Sequence, residues 1–458
     1  MTETAEILSQ ISPLSSKRLT VILLKWKYPF YTHLPDFQKP KDVGLIGIFA
    51  EQIREKLFEG YEKYFDAIFW FKPDYTESNR VYVDTNSVEI PEVEEILAKI
   101  LKVLPKEKIC LLETEEFMIE PICKLREKYS IPGPRSHELE YLRDKSVLKK
   151  IAEEKGIPTM KFAIFDSKNV QSAENEVKKI IKRIKTFPIF RKPISGCGSG
   201  GGGRINDESE LHQFIKDEIN KKEKSIYLME ECVKGKDVAE FWVSCVLLEN
   251  GNCKPFLNIV CKRGMTNSEH LKTGYPMPFN GFSLEQCEEE FPKLADFAID
   301  VAKKLNPPAP HIFCVQGFQL KPNTSEYLLT EVGYRINGAR GARVSYYGAG
   351  ISQETALLMC HLDPKYPVKQ DLNRPKFHRR YLWYPFIKGT LQSKMGIPSD
   401  SPITSKIGYD WLIEEGTKME AAESFGDFMV FLTIDNNNEK DVDKDLLWLE
   451  KNYRPDVV

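Results

Sequence analysis

The chain has 458 residues, with 65 Lys and Arg against 67 Asp and Glu, for a formal net charge of −2. So even a balance excludes a global electrostatic pull toward nucleic acid or an anionic membrane surface. The 41% hydrophobic and 29% charged content is that of an ordinary soluble protein. The length suits roughly three domains, each with a core large enough to need no covalent staple. Ten cysteines are scattered with no C-x-x-C pair, so reduced thiols in a cytoplasmic protein are expected rather than a disulfide framework or zinc cluster. Met1 to Ser16 has neither a basic segment nor the long apolar stretch of a secretory leader, and no apolar run is long enough to span a bilayer.

In chain order, Arg18 to Trp26 (RLTVILLKW) reads as a buried strand, and Ala67–Phe71, Val81–Val83 and Ile109–Leu112 are further strands. Helical patterns over Ile46–Leu57, Val93–Leu104 and Glu115–Tyr129 separate them, which predicts a parallel α/β layer up to the break at Ile131-Pro-Gly-Pro134. No glycine fingerprint follows the first strand, so this layer is no evident dinucleotide site. Beyond it, Arg143 to Pro158 carries a helical face stopped by Gly156-Ile-Pro158, with Lys149 and Lys150 expected on the surface. Met160–Phe165 and Phe187–Lys192 predict strands, Glu208–Ile219 a helix, and Ser225–Val233 with Ala239–Leu248 a strand pair around Lys234–Asp237. A long amphipathic helix is expected over Ser283–Leu305, then a hairpin of Cys314–Leu320 and Glu326–Gly333. A basic stretch from Lys365 to Arg380 reads as a linker to a small β-rich module closed by a charged helix, Asp441 to Asn452.

The stretch Phe190 to Ile205 (FRKPISGCGSGGGGRI) is the most telling. A lysine ends an apolar segment, and a loop with almost no side chains follows. Glycine reaches the backbone conformations that let several N–H groups close on phosphate oxygens, and Lys192 adds a point charge to the same anion. A flexible Gly/Ser linker is the plainer alternative, but linkers rarely interrupt paired strands. The formal G-x-G-x-x-G at Gly198, Gly200 and Gly203 sits between strands rather than before a helix, so it is not a dinucleotide motif. Cys197 has no assignable partner base and reads as a small tolerated side chain.

With these pieces in order, the chain resembles the ATP-grasp superfamily over nearly its whole length, in particular the carboxylate–amine ligases that join amino acids, as in dipeptide or carnosine-type synthases. The resemblance implies an α/β and α+β multidomain protein: an N-terminal parallel α/β domain (residues 1–135), a glycine-loop subdomain (136–228), a larger subdomain with the metal site (229–365) and a C-terminal β-rich module (366–458). It also implies ATP and Mg²⁺ (or Mn²⁺) as cofactors, with a small-molecule acid and an amine as partners. Neither nucleic acid nor membrane is implied, and the choice between monomer and homodimer stays open.

Residue by residue, the resemblance places Lys145 and Lys192 on the triphosphate, whose transfer is catalysed mainly by positioning and charge. It places Ser195, Gly196, Gly198, Ser199, Gly200 and Gly201 in the phosphate loop. Glu230, Glu231 and Val233, in Met229-Glu-Glu-Cys-Val233, form the adenine hinge, and Asp237 reaches a ribose hydroxyl. Glu331 is a metal ligand, and counting back twelve residues gives Gln319 as the second. The family's Glu-x-Asn-x-Arg reads Glu331-Val-Gly333-Tyr-Arg335 here, so Gly333 withholds an oxygen that Asn337 could replace. Arg335 stabilises the transferring phosphoryl group. Arg340 and Arg343, between glycines, suit a bidentate grip on the substrate acid. Arg263 and His270 lie on a loop near the substrate, where His270 is a candidate general base. The readings left standing are a ligase working through an acyl phosphate, a biotin-carboxylase-like reaction, and a nucleotide-binding protein without turnover.

Overall fold

A computed structural model describes residues 8–73, 90–170, 172–196, 200–338, 340–371, 373–374 and 376–458. The expected strand Val81–Val83 and the loop residues Cys197, Gly198 and Ser199 lie outside them. The first layer is a parallel sheet of β1 (Leu19–Lys25), β2 (Val43–Ala50), β3 (Ala67–Phe71) and β4 (Ile109–Glu113) in the order β3-β2-β1-β4. Alternate residues of β1 pack into two different cores, Val21 and Leu23 on one side, Ile22 and Leu24 on the other. A sheet covered on both faces has to be apolar without alternation, which is why these strands read as continuous runs. The same rule explains a difference from expectation: Ile46 begins no helix but lies inside β2, all of which is buried, and only a 3₁₀ turn, Glu51–Lys56, follows. Gly44 and Gly47 would each weaken a helix there.

From β1 the chain builds β2 and β3 on one side and then returns to place β4 on the other, and a crevice opens at the carboxyl ends of β1 and β4. Two buried carboxylates shape it. Glu115 accepts the backbone N–H groups of Trp26, Lys27 and Tyr28 at 2.9, 2.8 and 2.7 Å. Glu354 accepts those of Tyr31 and Thr32 and lies 3.6 Å from the fully buried ammonium of Lys25. The loop after β1 is thereby fixed, with Tyr28 and Tyr31 presented as a pair whose ring centres are 6.1 Å apart.

The next unit is an antiparallel sheet of β5 (Phe162–Asp166), β6 (Ile189–Pro193), β7 (Gly203–Ile205) and β8 (Ile226–Glu231), ordered β5-β8-β6-β7. The glycine loop joins β6 to β7. A third sheet contains β9 (Ala239–Leu247), β10 (Cys253–Val260), β12 (Asn280–Ser283), β13 (His311–Gln319) and β14 (Tyr327–Gly333), whereas β11 (Met277–Pro278) belongs to a fourth. Along β9, Ala239, Phe241, Val243 and Cys245 pack under the helix Leu294–Leu305. That helix is half the length expected for Ser283–Leu305, because Pro292 stands just before it and cannot continue a helical hydrogen-bond ladder. The opposite face of β9 meets helices Gly341–Ala349 and Gln353–Leu362 at one end and is left open at the other, where Glu240 and Trp242 face a cavity.

The C-terminal module closes the chain with a sheet of β11, β15 (His378–Pro385), β17 (Lys406–Trp411) and β19 (Phe428–Asn436), and a smaller one of β16 (Gly389–Ser393), β18 (Lys418–Met419) and β20 (Asp456–Val457). The end of the expected linker is strand: Arg379 and Arg380 lie in β15, paired to Asp435 and to Glu439 and Asp443. Among the described residues no helix is long and apolar enough to cross a membrane.

Candidate active site

A cavity of ≈ 300 Å³ lies where the N-terminal crevice, the glycine-loop sheet and the open face of β9 converge. Lys192 is the penultimate residue of β6, its ammonium 2.7 Å from Glu230 and 3.3 Å from Glu331. Lys145 opens the helix Lys145–Glu154, capped by the Asp144 carboxylate, and donates to the Gly196 carbonyl at 2.5 Å while standing 4.0 Å from Glu331. Two cations, one from a helix and one from a strand, thus meet one carboxylate beside the glycine loop. Burial works to raise the Glu331 carboxyl, but Lys145 and Lys192 outweigh it and hold it below the usual carboxylate range. Lys192 is raised: burial works against it, and Glu230 and Glu331 prevail.

Glu331 owes its aim to a β-bulge. β13 and β14 pair Gln316 with Glu331 and then Gly317 with Leu329, so Thr330 is extra. Gly317 is required at this crossing, since a Cβ there would come within 2.3 Å of the Leu328 carbonyl oxygen. The register also separates Gln319 from Glu331. Gln319 is buried at the far end of β13, its amide donating to the Glu290 and Thr324 carbonyls and accepting from Arg263. Gln316 is the residue opposite Glu331 and lines the cavity. Twelve residues of spacing would suit a tighter hairpin; here the connection from 320 to 326 carries the counted position past the site.

At the other end, Phe190, Met160, Glu231, Cys232 and Val233 form an apolar slot beside the hinge. Glu230 lines the same cavity but is committed to charge: its carboxylate bridges Lys192 and Lys149 at 2.7 and 2.8 Å and sits below its usual range, because the two lysines outweigh burial. Lys149 is therefore no surface residue. It is fully buried, donates to the Leu329 carbonyl at 2.8 Å and to Thr159, and is pushed down to about 8 by burial, with Glu230 pulling the other way. Lys150, by contrast, is exposed. Glu240 is a further carboxylate in the cavity, raised to about 7 by burial against the opposing hydrogen bond from the Asn267 N–H. Strand alternation carried the signal for it, since Glu240 and Trp242 share a face.

The remaining candidates divide. Gly196, Gly200, Arg335 and Asn337 line the cavity. Arg335 is ion-paired with Glu116 of the N-terminal layer, a partner that its own segment does not reveal. Asn337 donates to Ser244 Oγ at 2.9 Å, and its carbonyl oxygen is buried without a partner. Gly201 adopts φ +69° beside Pro193. Ser195 and Asp237 are exposed outside the lining. Arg263 is ion-paired to Glu290 outside it as well. His270 is wholly buried, with Nδ1 3.3 Å from the Tyr275 carbonyl, and burial drives it down to about 4, so it is a neutral core residue with no path to a substrate. An unfolded chain would bind this proton near 6.5, so the folded state gains stability as pH rises from about 4 to 6.5 and loses it on acidification. Replacing His270 with Gln should flatten that dependence by about 2–3 kcal/mol in pH-dependent denaturant melts. Arg340 and Arg343 are absent from the cavity lining; both line a separate one.

Comparison with known proteins agrees with this architecture. The family model for the D-ala D-ala ligase C-terminus matches residues 151–270, the segment from the end of the Lys145 helix to His270. A D-alanine–D-alanine ligase from Staphylococcus haemolyticus is 31% identical over 74 residues, which is 16% of this chain and about a fifth (21%) of that protein. Over the whole fold, the solved structure of an L-amino acid ligase from Bacillus licheniformis superposes with a TM-score of 0.60 at 13% identity, covering 96% of this chain and 100% of that one. The biotin carboxylase domain of Hydrogenobacter thermophilus 2-oxoglutarate carboxylase, solved with MgADP, ADP and bicarbonate, gives 0.56 at 13% identity over 96% and 91% of the two chains. The chain has the ATP-grasp fold. Within it, the segment that the family model matches is the one that carries Lys192, Glu230 and Glu240.

Proposed function

We propose that this protein is an ATP-dependent carboxylate–amine ligase, activating a carboxylate as an acyl phosphate and passing the acyl group to an amine with release of ADP and phosphate. The observation that carries this reading is the meeting of Lys145, Lys192 and Glu331 beside the glycine loop, in a cavity with an apolar hinge slot at one end and Arg335 at the other. Lys145 and Lys192 offset charge on the triphosphate, the hinge slot takes the base, and Arg335 faces the phosphoryl group in flight. Mg²⁺ suits the donor set. Among the described residues no cluster of three His, Cys, Asp or Glu side chains could hold a metal alone. One carboxylate, Glu331, with Gln316 opposite and phosphate oxygens supplied by the nucleotide, is how Mg²⁺ is usually held. When bound, it would neutralise developing charge on the phosphates. Two aromatic side chains from the loop after β1 wall the amine end and help exclude water from a labile intermediate. The nine described cysteines are all free thiols, which supports a reducing, cytoplasmic setting.

Phosphate release from MgATP against a matrix of amino-acid pairs tests the reading. Turnover that appears only with particular pairs supports it. Turnover with bicarbonate alone would favour the carboxylase-like chemistry that the likeness to a biotin carboxylase domain keeps in view. Nucleotide binding with silence across acids, amines and bicarbonate would mean that Gly333 has cost the site its activity.

A further inference from the structure

Arg335 lies two residues beyond the end of β14, where pairing with β13 no longer fixes the chain. Its guanidinium is nevertheless held on two nitrogens. Nη1 donates to the Ile336 carbonyl at 2.8 Å, and Nε donates to the Glu116 carboxylate at 2.5 Å. Bonds from two different nitrogens fix the plane of the group as well as its place. Glu116 is itself firmly set. It opens the turn Glu116–Met118 just after β4 and lines the same cavity as Arg335. Its neighbours anchor it: the Glu115 carboxylate accepts three backbone N–H groups, Phe117 meets Trp26 edge-on at 5.7 Å, and Met118 is fully buried. The two paired side chains are 20% and 19% exposed, so solvent screens their attraction only in part.

An untethered arginine in a cavity that takes a triphosphate swings onto the nearest phosphate oxygens, because a guanidinium fork binds phosphate bidentately. A contact of that kind stabilises bound ATP as much as the transition state, and so does not raise the rate of the chemical step. A donor held in place beforehand, where charge develops, does raise it. We propose that Glu116 is a positioning residue, which restrains Arg335 from the resting triphosphate and reserves it for the phosphoryl group in transfer. The N-terminal layer then takes part in phosphoryl transfer through one carboxylate, although it holds neither lysine of the site. This rests on the ligase reading for the phosphoryl transfer, though not for any particular acid or amine.

The test sets phosphate release beside calorimetric titration of the full chain with MgADP and with the Mg²⁺ complex of a non-hydrolysable ATP analogue. Glu116→Gln should lower release by about 100-fold. It should also bind the analogue several-fold tighter and MgADP as the wild type does, because the freed guanidinium gains only the γ-phosphate. Glu116→Asp keeps the carboxylate and should recover part of the release. In an Arg335→Gln background, Glu116→Gln should lower release no further, as expected of two residues that act as one. Should Glu116→Gln fail to fold, Glu116→Asp carries the prediction in weaker form, with lower release and the analogue bound no more weakly. Unchanged release in Glu116→Gln overturns the proposal. A loss of release together with weaker analogue binding also overturns it, since the pair would then only tie two layers together. Wild-type silence with every acid, amine and bicarbonate would sink the ligase reading alone. The analogue's gain over MgADP would then decide on Glu116, and its absence would overturn the role.

Discussion

Replacing Glu331 with Gln should lower ATP-dependent phosphate release by about 10³-fold, roughly 4 kcal/mol of barrier, while the melting temperature moves by no more than about 2 °C. The activity loss follows from position. Among the described residues Glu331 is the one carboxylate within 4.0 Å of both Lys145 and Lys192, and an amide of the same size cannot supply the anionic oxygen that a hard cation and two phosphate-facing lysines are arranged around. Stability is spared because the side chain is 29% exposed and Lys192 keeps Glu230 at 2.7 Å when Glu331 is neutralised. The neighbouring glutamines separate the two ways of placing the second oxygen. Gln316→Ala should weaken Mg²⁺ dependence several-fold with little effect on folding. Gln319→Ala should do the opposite, since its amide is spent on Glu290, Thr324 and Arg263. Phosphate release against Mg²⁺ concentration, alongside thermal melts, reads all three. Glu331→Gln retaining a tenth of wild-type turnover would remove it from the reaction.

What was legible in the sequence was what local chemistry dictates. An apolar strand ending in Lys192 before a run of glycines has few other uses, and Glu331 ends a strand that has little other reason to carry an acid. The layer of β1 to β4 could be read because double-sided burial imposes runs without alternation. What depends on register was not legible. Gln316 rather than Gln319 faces Glu331 because the hairpin is long and β14 bulges at Thr330, and neither feature has a local signature. Arg340 and Arg343 look like site residues for sound reasons, two guanidiniums between glycines, yet the same loop passes from one cavity to the next within two residues. Arg335 meets Glu116 across 219 positions of chain, beyond any window of periodicity. His270 misleads in the other direction: a polar residue on a turn-rich segment turns out to fill a core. One miss was avoidable. Lys149 stands four residues after Lys145, on the same helical face, so a lysine aimed at the site implied that the second would follow it inward.

That second lysine sets up the other large effect. Lys149, Glu230, Lys192, Glu331 and Lys145 form a chain of alternating charge running from the core to the open cavity. Its inner end is wholly buried, Lys149 at 0% and Glu230 at 2% side-chain exposure. Lys149→Met keeps length and volume but strands the Glu230 carboxylate with Lys192 alone and leaves the Leu329 carbonyl with Thr159 Oγ1 as its one side-chain donor among the described residues. Removing one member of a buried pair in this way costs about 3–5 kcal/mol, to be read as a lower urea midpoint at unchanged slope. Converting Glu230 to Gln in the same chain should recover part of the loss, because the uncompensated charge is then gone. The wild type carries a pH signature as well. Lys149 sits at about 8 in the folded protein against an ordinary 10.5, so the unfolded chain holds this proton more tightly, and stability from this group rises as pH climbs through that interval. The methionine variant should lack that rise. It should also bind ATP more weakly, since Glu230, no longer shared, draws Lys192 away from the phosphates. A urea midpoint within error of wild type would mean that the inner pair carries no weight, and that the outer one orders the site unaided.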